Sequence, residues 1–97
     1  GPWIVTKDEF KNPPALPIRS YVNGELRQDS NTELMINGIE KVICELTQGM
    51  TLQAGTIIAM GTPAGVGMGF EPPRFLNSGD VVTCEIEGIG TMTNKIK

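Results

Sequence analysis

One stretch of the sequence joins a hydroxyl to a backbone able to present it: Gly61-Thr62-Pro63-Ala64-Gly65-Val66-Gly67. Pro63 fixes its own φ and pushes Thr62 towards an extended conformation, so the threonine side chain is held in one direction. The glycines permit positive φ or the close approach of another group to the backbone. Two readings stay open on spacing alone. The loop offers Thr62 to a ligand, as loops at strand ends often do, or it is a tight turn whose glycines are purely geometric. It fits neither phosphate-binding fingerprint, because no Lys-Ser/Thr and no clear helix follow. Other candidates are weaker. With no histidine in the chain, general-base work falls to a carboxylate or lysine in a shifted environment. Glu85 and Glu87 share a strand face about 7 Å apart, a spacing that suits paired carboxylates and equally a solvated hairpin edge. Asp8-Glu9 adjoins a helix start, where acidic groups favour the positive end of the dipole. Cys44 and Cys84 make no metal spacing and read as reduced core residues. No three oxygen ligands converge for a hard cation.

The elements that must position Thr62 follow from the patterning. Thr56-Ile57-Ile58-Ala59-Met60 is an apolar run of strand length and reads as a central strand feeding the loop. Ile18–Val22 and Glu25–Gln28 flank Asn23-Gly24, the dipeptide of a two-residue type I′ hairpin. Alternation puts Ser20 and Val22 on one face and Arg19 and Tyr21 on the other. Gln28 to Thr32 reads as a polar loop. Ile39, Val42, Ile43 and Leu46 form an apolar stripe of helical period, with Asn37 as N-cap, Glu40 closing its box and Gly49 at C′. Thr6 and Glu9 fit a capping box around one helical turn, and Asn12-Pro13-Pro14 interrupts regular structure. Met68–Leu76 is irregular and packs over the glycine loop. Asn77-Ser78-Gly79-Asp80 is a turn, and a second hairpin reverses at Gly88-Ile89-Gly90. The fold class is α+β, mostly β, with two hairpins, a central strand and one amphipathic helix.

Ninety-seven residues with 39% hydrophobic content suit one loop-rich domain. A net charge of −3 without basic clusters argues against a nucleic-acid partner. No stretch is long enough to cross a bilayer, so no membrane partner is expected. Reduced cysteines suggest a cytoplasmic location, with the mitochondrial matrix as the alternative. A start at Gly1-Pro2 instead of methionine reads as a processed or excised chain.

Taken in order, Tyr21-Val22-Asn23-Gly24-Glu25-Leu26-Arg27-Gln28, Ser30-Asn31-Thr32, Thr51-Leu52…Gly55, Gly61-Thr62-Pro63-Ala64-Gly65-Val66-Gly67 and Leu76…Gly79-Asp80-Val81-Val82…Glu85-Ile86…Gly88-Ile89-Gly90…Asn94 resemble the C-terminal half of the fumarylacetoacetate hydrolase family. Gly1-Pro2-Trp3-Ile4-Val5-Thr6 resembles the segment after that family's active-site lysine. The resemblance implies a mixed β-roll or sandwich and a divalent-metal enzyme, usually dimeric, using magnesium or manganese. Its substrates would be small 2-oxo or β-diketo carboxylic acids, cleaved, isomerised or decarboxylated through a metal-stabilised enolate. It implies that residues 1–97 are the C-terminal part of such a catalytic domain, with the metal ligands and catalytic lysine in a preceding part. No catalytic residue, metal ligand or cofactor is then expected within this chain, which would be inactive alone. The site residues carried over are Thr62, contacting the substrate carboxylate or oxo group, with Gly61, Pro63 and Gly65 shaping that wall. Gln28 and Asn31 match family positions, either reaching substrate or holding the loop. The insertion Met68–Leu76 resembles the 2-hydroxyhepta-2,4-diene-1,7-dioate isomerase-like and domain-2-type members. The alternative is a binding or scaffold module that keeps only the fold.

Overall fold

The computed structural model describes residues 2–11 and 13–97; Gly1 and Asn12, the first residue of the expected Asn12-Pro13-Pro14 interruption, lie outside the described residues. Four strands form one antiparallel sheet: β1 (Pro17–Val22), β2 (Glu25–Asn31), β3 (Val81–Ile86) and β4 (Gly90–Lys95), in the order β2-β1-β3-β4. One helix, α1 (Ile39–Thr47), lies between the two hairpins in sequence. The first hairpin turns on Asn23 (φ 51°) and Gly24 (φ 80°), the pair of positive φ values that a type I′ turn requires. Asn23 also ties the hairpins together. Its Nδ2 donates to Asp80 Oδ1 at 2.9 Å, and its Oδ1 accepts from the Val81 amide at 2.9 Å.

Register decides what each face carries. A regular two-residue hairpin, continuing Val22 opposite Glu25 and Tyr21 opposite Leu26, would set Ser20 opposite Arg27. Instead Ser20 pairs with Gln28, leaving Arg27 as the extra residue of a β-bulge. Ile18, Ser20 and Val22 therefore share a face with Gln28 and Ser30 of β2 and with Ile86, Cys84 and Val82 of β3. The opposite face is polar. There Arg19 Nε lies 3.0 Å from Asp29 and Nη1 3.4 Å from Glu85, and the Thr83 and Thr93 hydroxyls are 3.0 Å apart. Glu85 is thus engaged by Arg19 on a solvated face, while Glu87 lies in the turn after β3.

Several local expectations need correction. Thr56–Met60 joins no ladder among the described residues; Ile58 and Met60 are half-buried and Ile57 is 93% exposed, so the alternation is present without a partner strand. The inner strands of the sheet are β1 and β3. Gln28–Asn31 is strand, not loop, because Thr32 anchors the far end of β2 by its amide to the Leu16 carbonyl at 2.9 Å. Gly38, not Asn37, holds the N-cap of α1, and no side chain caps it. Gly49 does follow the C-cap Gln48, but without left-handed backbone. The first turn is a single 3-10 turn, Lys7–Glu9, whose N-cap Thr6 makes no side-chain cap bond.

The largest correction concerns the core. Among the described residues none is buried, and both cysteines are exposed. The stripe of α1 is correctly patterned, yet Ile43 is still 42% exposed. A compact chain of this length has a radius of gyration of about 13 Å, whereas this one measures 15.4 Å.

Candidate substrate-contacting groove

A groove of about 800 Å³ runs between the sheet and α1. Ile18 and Ile86 of the sheet, Ile39 and Val42 of α1, and the Gly61-Thr62-Pro63 turn are on its wall. Among the described residues no charged side chain lines it, and its polar side chains are those of Ser30, Asn31, Thr32, Asn37 and Thr62. Two of these have structural duties. The Thr32 hydroxyl donates to the Pro14 carbonyl at 2.8 Å and accepts from the Leu16 amide at 2.9 Å. Asn31 Oδ1 accepts from the Glu33 amide at 3.0 Å, capping a short 3-10 turn.

Thr62 is different. Its Oγ1 accepts from Gln28 Nε2 at 2.7 Å, and the same nitrogen donates to the Pro63 carbonyl at 2.8 Å. Gln28 Oε1 in turn accepts from the Ser20 hydroxyl at 2.8 Å. Gln28 therefore holds the loop, and Thr62 remains exposed at the groove. Of the four residues carried over from the resemblance, Gly61, Thr62 and Pro63 are on the wall. Gly65 sits behind it, at φ 105°, where a Cβ would collide with the Arg27 carbonyl. Gly67 similarly faces the Arg74 carbonyl.

A second feature escaped sequence reasoning. Glu25 binds Arg74 through two bonds of 2.7 Å, and the guanidinium carbons of Arg27 and Arg74 lie 5.2 and 5.3 Å from the centroid of the Phe70 ring. Arg27 Nε is buried without a hydrogen-bond partner among the described residues and lies 3.5 Å from Glu25 Oε1. These contacts clamp Phe70 and Arg74 against the bulge in β2. Gly69-Phe70-Glu71-Pro72-Pro73-Arg74 carries no periodicity that would have marked the cluster. The hydrogen bond from Arg74 holds the Glu25 carboxyl below its ordinary value. The Asn77 amide and the Asn23 side chain do the same for Asp80. Lowered folded-state values mean that these contacts stabilise the fold at neutral pH and are lost as pH falls through the folded pKa. The Phe70 ring resonances should therefore report release of the segment below about pH 4, where ordinary carboxylates protonate. An unchanged Phe70 environment in a Glu25→Gln variant would show that the clamp does not depend on the carboxylate.

The residues present do not form a cation site by themselves: among the described residues no three His, Cys, Asp or Glu side chains gather. No helix among them is long and apolar enough to cross a membrane.

The family model for the C-terminal domain of fumarylacetoacetate (FAA) hydrolase matches residues 1–97. The chain belongs to the fumarylacetoacetate hydrolase family. It is 50% identical to the oxaloacetate tautomerase YisK of Bacillus subtilis (strain 168) over 96 residues, covering 99% of this chain and 32% of that protein. Its structure is similar to the fumarylacetoacetate hydrolase from psychrophilic Exiguobacterium antarcticum, with TM-score 0.95 and 49% identity, over 100% of this chain and 35% of that one. It is also similar to the maleylpyruvate hydrolase of Sphingobium sp. SYK-6 in complex with manganese(II) and pyruvate, with TM-score 0.87 and 38% identity, over 99% of this chain and 34% of that one. The chain thus spans about a third of the length of the relatives it matches. The sheet of two hairpins with one helix is that family's C-terminal fold.

Proposed function

We propose that this chain is the C-terminal portion of a divalent-metal-dependent enzyme acting on small 2-oxo acids, to which it supplies a substrate-contacting wall. The observation that carries the reading is the groove itself: a wall without charge, on which Thr62 offers a hydroxyl whose geometry is fixed by its neighbours. Enclosing a carboxylate in such a groove without a counter-charge costs several kcal/mol. Magnesium or manganese held by residues outside this chain would provide that charge. A manganese-and-pyruvate complex of the Sphingobium hydrolase, and the tautomerase activity of the B. subtilis relative, support a 2-oxo acid as ligand. The reaction at the bound acid is hydrolysis, isomerisation or decarboxylation, and the working assembly is a dimer. What this chain contributes is binding and orientation: Thr62 donates to the acid, and Gly61 and Pro63 keep the wall narrow.

The test is pyruvate titration of the intact polypeptide with manganese(II) bound, comparing wild type with Thr62→Val. A hydrogen bond to a charged group is worth about 1.5–3 kcal/mol, so the variant should bind roughly 10- to 100-fold more weakly. Thr62→Ser should stay within a few-fold of wild type. Equal affinities for wild type and Thr62→Val would remove the hydroxyl from the site. Binding of pyruvate without turnover of any 2-oxo acid would favour a binding module instead.

A further inference from the structure

We infer that Gln28 is a positioning residue that makes the Thr62 hydroxyl an obligate hydrogen-bond donor to the ligand, so that this wall selects an acceptor such as a carboxylate or enolate oxygen. The inference rests on the reading of Thr62 as substrate-contacting.

The polarity of the relay follows from one atom. The Pro63 carbonyl can only accept, so the Gln28 atom 2.8 Å from it must be the amide nitrogen. The same nitrogen therefore faces Thr62 Oγ1 at 2.7 Å and donates its second hydrogen there. With the nitrogen so placed, Oε1 faces Ser20 and accepts its hydroxyl hydrogen at 2.8 Å. Every link runs one way: Ser20 to Gln28, Gln28 to Thr62. The Thr62 hydrogen cannot return to Gln28, which presents only donors to it, and no other acceptor for it exists among the described residues. Thr62 lies on the groove wall, so the hydrogen is available to whatever occupies the groove. A hydroxyl ordinarily both donates and accepts, and rotates to suit its partner. Here one lone pair is occupied from behind, and the rotor is set before a ligand arrives. Preorganised donors of this kind favour groups that carry or develop negative charge.

Position 28 reaches Thr62 only because of the bulge at Arg27, which puts Gln28 opposite Ser20 on the groove face. The unbulged register would present Arg27 there instead.

The test is a double-mutant cycle in the intact polypeptide, read by pyruvate affinity with manganese(II) bound. At neutral pH Gln28→Glu places an acceptor behind Thr62, which turns the hydroxyl hydrogen inward and leaves a lone pair facing the ligand carboxylate. Affinity should fall about 100-fold, near the upper range for charged hydrogen bonds. Gln28→Leu only frees the rotor and should cost about 5-fold. In a Thr62→Val background both changes at 28 should cost several-fold less than with the hydroxyl present, the remainder being the lost bond to the Pro63 carbonyl. If Gln28→Glu costs the same with and without the Thr62 hydroxyl, Gln28 merely supports the strand and the inference fails, while the Thr62 reading survives. If Thr62→Val alone leaves affinity unchanged, the Thr62 reading fails and takes the inference with it. A second measurement is independent of the metal-loaded site. In the intact polypeptide without added metal the two Gln28 side-chain amide protons should both resist solvent exchange, and Thr62→Val should release one of them. Two fast-exchanging amide protons in the wild-type chain would overturn the relay directly.

Discussion

Gly65→Ala should detach the glycine loop from β2 and abolish the proposed ligand binding, whereas Gly61→Ala and Gly67→Ala should each do so only in part. The three glycines separate two costs. Gly61 has φ 95° with open space where a Cβ would point, so alanine there suffers backbone strain alone. Gly67 has ordinary φ, but its Cβ would strike the Arg74 carbonyl. Gly65 combines both, at φ 105° and against the Arg27 carbonyl. Strain at a non-glycine residue with positive φ costs about 1–3 kcal/mol. A collision with backbone adds to this, because a carbonyl moves aside only if the chain moves with it, whereas a side chain can change rotamer. The Gly65 variant should therefore lose about 3–5 kcal/mol, at the severe end of point mutations. Since Gly65 lies two residues beyond Pro63, the Gln28–Thr62 and Gln28–Pro63 bonds would separate with it. Protease cleavage within residues 61–76, together with pyruvate affinity, would measure the effect. A Gly65 variant no more cleavable than the Gly61 variant would show that the close approach to Arg27 is not what holds the loop.

The 97-residue chain by itself should self-associate and melt without a sharp cooperative transition. Its accessible surface is 7601 Å², against about 5,400 Å² for a compact monomer of 10.5 kDa. The excess of roughly 2,200 Å² is in the range of obligate interfaces. Much of it is apolar: Ile36, Ile57 and Ile4 are 98%, 93% and 92% exposed. Contiguous apolar surface on this scale does not persist on a soluble monomer. The unpaired 56–60 segment and the outer edge of β4 add backbone groups ready to pair with another chain. Sedimentation should show association that grows with concentration, and a hydrophobic dye should bind at neutral pH. A compact monomer at high concentration with a sharp melting transition would contradict this expectation.

Both predictions turn on features with unequal visibility in the sequence. The first hairpin was legible because Asn23-Gly24 is a local signal: positive φ at both positions is cheap for few residue pairs. The alternation of β3 and β4 and the stripe of α1 were legible because periodicity records which side of an element is apolar. The same logic misplaced Thr56–Met60. Alternation marks an extended segment with two unlike faces, but pairing needs a neighbour, and none lies beside it here. It also misjudged Cys44 and Cys84, since an apolar pattern states where a residue would be buried and cannot supply the surface that buries it.

By itself the sequence determined the two hairpins, the helix and the loop that carries Thr62, because these depend on φ preferences and on spacing within a dozen residues. Only the tertiary structure decided what Thr62 can do. One extra residue at Arg27 shifts the register of β2, and the parity of a strand is then reversed beyond the bulge. That shift turns Gln28 towards the groove, sets Arg27 beside Phe70 and Glu25, and brings the Arg27 carbonyl against Gly65. The strand sequence carries no mark of such an insertion, because its energy comes from contacts with residues more than 30 positions away.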